Sequence, residues 1–144
     1  MPKYLCDTGL FCCWAYESKN SRKTKVPYDP LTGKRAQTNN PHSFTDFATA
    51  MQVAHNYSGL GFLVTNGFFV IDFDDCKNTN GSLSQLVNEI ISLFKGCYME
   101  WSPSGKGLHI IGKADSFSFD KSVYWMNNRK SSLEEIQTNV NIKK

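Results

Sequence analysis

The sequence lacks any apolar run approaching the roughly 18 residues that a membrane-crossing helix needs. It also lacks the layout of a secretory leader. The opening MPKYLCDTGLFCCW has only a short apolar stretch, and Asp7 breaks it, whereas a signal peptide needs a continuous apolar centre. These two absences predict an intracellular, cytoplasmic protein without membrane contact. Cysteine is present but follows no pattern of use. The five thiols (Cys6, Cys12, Cys13, Cys76, Cys97) are odd in number and contain no CxxC pair for a zinc site. They read as buried, reduced thiols. Adjacent residues on a strand face opposite sides, so Cys12 and Cys13 are expected on the two faces of one. Internal repeats and low-complexity tracts are missing as well.

A strong charge of either sign is also absent: the net charge is +3 over 144 residues. Length and composition fit one soluble globular domain. The distribution of charge says more than its sum. Lys19, Arg22, Lys23, Lys25, Lys34 and Arg35 face only Asp29 in their stretch, threaded by Pro27, Pro30 and Gly33. Two readings stay open for this basic segment: a solvated face, or a contact for the phosphates of a nucleotide or a nucleic-acid backbone.

Hydrophobic periodicity predicts the elements. LFCCWAYE (10–17) is short, aromatic and bounded by polar residues, as a strand is. Residues 18–43 read as a long loop, with a turn in YDPLTGK. From Ser43, a capping candidate, the spacing of Phe44, Phe47, Ala48, Met51 and Ala54 predicts an amphipathic helix. LGFLVT and FFVIDFD flank Asn66-Gly67, the pattern of a hairpin. Leu83, Leu86, Val87, Ile90, Leu93 and Phe94 predict a second helix. CYMEW and LHIIG read as strands joined by SPSGKG. In the tail, SFSFDKSVYWMNN suggests a strand, and SLEEIQT a short strand or one helical turn. This order predicts an α+β domain with a mainly antiparallel sheet packed on helices.

Two places carry chemistry. Asp72 and Asp74 stand two apart at the end of an apolar strand, so their carboxylates share a face, with Cβ atoms about 6–7 Å apart. Like charges so placed favour a cation between them, and hard oxygen ligands suit Mg²⁺ or Mn²⁺. The alternative is two acids that end a strand and face water. Phe68-Phe69-Val70-Ile71 is apolar on both faces, which places the strand centrally and the acids over the sheet. Asp75 reads as a turn residue. About thirty residues on, Ser102, Ser104, Gly105, Lys106 and Gly107 supply hydroxyls, backbone amides and an ammonium, an arrangement able to meet an anion. His109 follows on the next strand, with Ile111 on its face and Leu108 and Ile110 on the other. It reads as a nucleotide-phosphate ligand, against a structural histidine; Lys106 reads as a phosphate contact or a solvated turn lysine.

The segments KVPYDPLTGKRAQTNNPHSFTDFATA, GLGFLV, VIDFDDC and YMEWSPSGKGLHI occur in this order and at this spacing. Together they resemble the N-terminal catalytic domain of the primase–polymerase group of the archaeo-eukaryotic primase superfamily, found in phages, plasmids and other mobile elements. The resemblance implies an RRM-like palm with an N-terminal α/β unit beside it. It implies that Asp72 and Asp74 form a DxD metal motif, and that Ser104 and His109 fall on an SxGxxH-type motif holding the triphosphate. Lys25 matches the lysine of the KxP segment, a candidate nucleic-acid or phosphate contact alongside Lys23, Lys34 and Arg35. The family's third carboxylate corresponds to Glu134 or Glu135, with Glu135 taken as the third metal ligand; the alternative is a solvated pair near the terminus. The family's Arg-bearing strand, linker and helicase domain do not follow before Lys144, so the resemblance implies a single C-terminally truncated domain over 1–144.

The expected function is template-dependent nucleotidyl transfer. Asp72, Asp74 and His109 would be the catalytic residues, DNA template or primer and nucleoside triphosphates the partners, and a helicase or another replication or host protein a further one. A rival reading keeps the fold but not the catalysis: a primase-like module that binds nucleic acid or protein as an inhibitor or accessory factor. A metal nuclease would explain the DxD pair but not the turn before His109.

Overall fold

A computed structural model describes residues 1–19, 21–114 and 141–143. The tail elements expected in SFSFDKSVYWMNN and SLEEIQT, with Glu134 and Glu135, lie outside the described residues. The chain divides into two compact units, Met1–Asn66 and Gly67–Lys144. Each has its own sheet, and helices and antiparallel strands together make the fold α+β.

In the first unit α1 (Lys3–Thr8) leads into β1 (Phe11–Lys19), β2 (Arg22–Tyr28), α2 (Phe47–Val53) and β3 (Gly59–Phe62). The sheet order is β2-β1-β3, with both neighbours antiparallel to β1. Alternation along β1 sorts its side chains as expected. Phe11 and Cys13 meet α2, the Phe11 ring at 5.2 Å from that of Phe47 and the Cys13 Sγ at 3.9 Å from the Ala50 carbonyl. Cys12 packs with Ala36 and Phe44 in a separate cluster.

Two expectations for this unit are corrected. The long loop holds a strand: β2 pairs with β1 from Tyr28 opposite Cys13 to Arg22 opposite Lys19. Its cations and Thr24 hid the strand, because an edge strand tolerates charge on its exposed positions. The helix expected from Ser43, α2, starts later. Asp46 is the N-cap, its carboxylate accepting from the Thr49 N–H at 2.9 Å, while Ser43 ends a 3-10 turn over Pro41–Ser43. Met51 lies off the buried face, 49 % exposed, and Ala50 takes the core position. The YDPLTGK turn is present. Gly33, at φ 67°, donates to the Asp29 carbonyl, and the Asp29 carboxylate accepts from Leu31 N–H and the Thr32 hydroxyl.

The expected hairpin about Asn66-Gly67 does not form. Both residues adopt the left-handed turn conformation (φ 55° and 80°). The runs on either side, however, join different sheets: β3 pairs with β1, and β4 (Phe68–Phe73) belongs to the second unit. Local turn chemistry reads the bend correctly but is blind to strand partners.

The second unit continues with α3 (Gln85–Leu93), β5 (Tyr98–Trp101), β6 (Leu108–Lys113) and β7 (Asn141–Lys143). Its strands lie in the order β5-β6-β4-β7, every pair antiparallel. Counted within the unit this is 2-3-1-4, the winding of an RRM-like sheet, with the first and third strands central. Ile71, Phe73, Leu108 and Ile110 turn one face toward Val87 of α3. Ser84 caps α3 at the Val87 N–H, 3.3 Å away. The buried side of this helix runs through Leu83, Val87, Ile90, Ile91 and Phe94; Leu93, expected there, is 78 % exposed. Among the described residues no helix is long and apolar enough to cross a membrane.

Candidate active site

The face of the second sheet turned away from α3 carries the site. Strand alternation sends Phe69, Ile71 and Phe73 to the helix and leaves Asp72 on the other face. The register then decides its neighbours: Asp72 stands opposite His109, and His109 opposite Glu100. Directly opposed side chains on one face lie within contact distance. Here the His109 Nε2 is 3.4 Å from the Asp72 Oδ1, and its Nδ1 is 3.2 Å from the Glu100 Oε1. The result is a carboxylate–imidazole–carboxylate row across β4, β6 and β5. Only the imidazolium can donate to both acids at once. On the far side of β4, Asn141 takes the register position opposite Asp72.

Glu100 is the functional candidate the sequence reading missed. The His109 hydrogen bond, helped by the Tyr98 hydroxyl at 3.0 Å, holds its carboxyl below the ordinary glutamate range against partial burial. A signal for it existed. With Ser102–Gly107 as the loop, Trp101 pairs with Leu108, and counting one step back places Glu100 opposite His109.

Asp74 lies in the bend just after β4 and is exposed, and Asp75 follows at φ 43°, the turn residue expected. The Ser102–Gly107 loop is tied to this bend by the Cys76 N–H, which donates to the Lys106 carbonyl at 3.1 Å. Gly107 is required there: a Cβ would stand 2.5 Å from the Phe73 carbonyl oxygen. Gly105 sits at φ 71° with open space around it.

The amides of Gly105, Lys106 and Gly107 are not aimed outward as anticipated. Gly105 N–H donates to the Ser102 carbonyl, Lys106 N–H to the Ser104 Oγ and Gly107 N–H to the Ser102 Oγ. The Ser102 and Ser104 hydroxyls meet at 2.9 Å. Beside these engaged amides the loop presents its hydroxyls and the exposed Lys106.

The donor chemistry of Asp72 and Asp74 fits a hard divalent ion such as Mg²⁺ or Mn²⁺. Among the described residues no group of three or more His, Cys, Asp or Glu is set to hold a metal, and Glu135 lies outside them.

The basic residues belong to the first unit. Lys23 and Lys25 stand on β2 at exposed positions opposite Ser18 and Tyr16, and Lys34 is exposed in the following turn. Arg35 is engaged in an ion pair: its guanidinium holds Glu17, which also accepts from the Tyr28 hydroxyl. These two partners lower the Glu17 carboxyl, Tyr28 first and then Arg35. Glu17 lies two residues outside the basic segment, which is why that segment reads as richer in free cations than it is.

No family model matches the chain. A DNA primase-polymerase of Nitratiruptor phage NrS-1 is 38 % identical to it over 102 residues, which are 65 % of this chain and 14 % of that protein. The chain thus aligns with a small part of that relative's length.

Proposed function

We propose that this chain, a relative of the phage primase–polymerases, performs template-dependent nucleotidyl transfer on the face of its second sheet that bears Asp72 and His109. The observation that carries the reading is the convergence of Asp72, His109 and the Ser102–Gly107 loop at one end of that sheet. A bound Mg²⁺ or Mn²⁺, held by Asp72, Asp74 and a third carboxylate for which Glu135 is the candidate, would neutralise charge on the transferring phosphate, as in two-metal polymerases. The chain's own residues supply the rest. Ser104, Lys106 and His109 bind the triphosphate of a nucleoside triphosphate, with Gly105 and Gly107 shaping the turn. Glu100 orients the His109 ring through Nδ1 and leaves Nε2 directed at the Asp72 side. A primer 3′-hydroxyl attacks the α-phosphate, a new phosphodiester forms and pyrophosphate leaves. Lys23, Lys25 and Lys34 contact DNA.

A second reading has one observation in its favour. Asp72 is already in contact with His109, so the row also suits a purely structural network in a binding module that accompanies a replication protein.

Incubation with primed template DNA, labelled nucleotides and Mn²⁺ separates the two. The expected result is primer extension that disappears in Asp72→Ala/Asp74→Ala. Absence of synthesis in the wild-type protein, with DNA binding intact in the double variant, sinks the first reading in favour of the second. Degradation of the DNA without nucleotide addition points to a nuclease.

A further inference from the structure

The first unit carries a surface that takes no part in the chemical step, and Lys23 and Lys25, assigned above to DNA, belong to it. Trp14, Tyr16 and Ser18 project from one face of β1, and directly opposed residues of neighbouring strands share that face. Those neighbours are Pro27, Lys25 and Lys23 on β2, and Gly59 on β3 opposite Trp14. The indole of Trp14 packs against Gly59, where a Cβ would come within 2.9–3.0 Å of the ring. Its Nε1–H donates to the Leu60 carbonyl at 3.2 Å. The ring is thereby pinned to the sheet by a hydrogen bond and by the missing side chain beneath it.

Pinned in this way, Trp14 organises two groups. The Lys25 ammonium sits over its ring, 5.1 Å from the centroid, a cation–π contact. The Tyr16 ring meets it edge-on at 5.1 Å and 83°, and Tyr16 remains 48 % exposed. Charge is sorted between the two faces. Glu17 is the only acid in the β1–β2 hairpin, and it points to the opposite face, where Tyr28 and Arg35 hold it. Lys23 and Lys25 stand on the Tyr16 face, two residues apart on one strand.

An exposed aromatic ring beside cations, on a sheet face free of acids, is the combination that binds unpaired nucleotides: the ring stacks a base and the ammonium groups take the adjoining phosphates. A duplex keeps its base faces stacked inside and offers this ring nothing. We propose that the Trp14–Tyr16–Lys25 face is a binding platform for single-stranded DNA. Tyr16 stacks an unpaired base, Lys25 and Lys23 contact successive phosphates, and Trp14 is the positioning residue that fixes both. The proposal rests on the reading that the protein works on DNA, but not on its catalysing transfer.

The test is fluorescence anisotropy with a labelled oligothymidylate, and the matching duplex as competitor, in the full chain without nucleotide or divalent metal. Expected are preference for the single strand and a loss of roughly tenfold in affinity for Tyr16→Ala. Tyr16→Phe, which keeps the ring, retains binding. Lys25→Gln lowers the slope of log affinity against log salt by about one phosphate contact. Tyr16→Leu keeps apolar bulk without a stacking face and stands in should the alanine variant fail to fold; it too should lose affinity. Unchanged affinity in Tyr16→Leu, or a duplex that competes as well as the single strand, overturns the proposal. Primer extension with a Tyr16-independent affinity removes the platform and leaves nucleotidyl transfer standing. Tyr16-dependent binding without any extension does the reverse.

Discussion

His109 touches two carboxylates, and the consequences for Glu100 are the most direct at the scale of single residues. Its carboxyl is held below the ordinary range by the His109 hydrogen bond first and by Tyr98 next. A lowered folded value means that the unfolded chain takes up the proton first as pH falls. The stabilisation from Glu100 is therefore complete above the ordinary glutamate value of about 4.3 and is lost as pH drops through the lowered one. Glu100→Gln should cost roughly 1 kcal/mol near neutrality, a charged hydrogen bond discounted for partial exposure. Thermal melting of both proteins in acid checks this: the gap should shrink as pH falls below the ordinary glutamate value of about 4.3. A gap that widens on acidification contradicts the assignment. The residue types at Asp72 and His109 were legible from sequence, since acids and a histidine on strands flanked by apolar residues stand out. Glu100 was not singled out, because a glutamate ending an ordinary-looking strand has no local mark until the register puts it beside His109.

Among the elements, the Ser102–Gly107 loop shows how the site is held in place. Its geometry is kept by hydrogen bonds within the loop, and it is clamped to the end of β4 through Gly107 and Cys76. Gly107→Ala drives a methyl against the Phe73 carbonyl, which cannot retreat without shifting the strand end that bears Asp72. The expected cost is about 1–3 kcal/mol, read by chemical denaturation, along with impaired activity at the site. Gly105→Ala meets no neighbour and pays only for its positive φ, about 1 kcal/mol. Equal effects of the two substitutions would show that the Phe73 contact is unimportant. The same scale explains the misread strand. The cations of β2 follow no apolar alternation, so the strand is recognisable only by its pairing with β1. The Asn66-Gly67 bend, by contrast, was visible, because glycine and asparagine accept positive φ wherever the chain leads next.

For the whole molecule, the two units bury thiols in their cores. Cys12 and Cys13 lie in the first and Cys76 in the second, all free. Burial pushes the Cys12 thiol up to about 11 and raises those of Cys13 and Cys76, so the reactive thiolate is scarce at all three. Thiol reagents followed by peptide mass spectrometry should leave these three unmodified in the native protein and label them in denaturant. Rapid native labelling of Cys12 would contradict the packing described. Residue order alone determined the secondary-structure types of most segments, the α+β class and the chemically marked residues Asp72, Asp74 and His109, because hydrophobic period and residue chemistry are local properties. Only the tertiary structure decided which strands pair, that β3 and β4 part into separate sheets, that Glu100 joins His109, and that Glu17 takes Arg35 away from the basic face. Those outcomes depend on register and on contacts between residues far apart in the chain, and no local window encodes them.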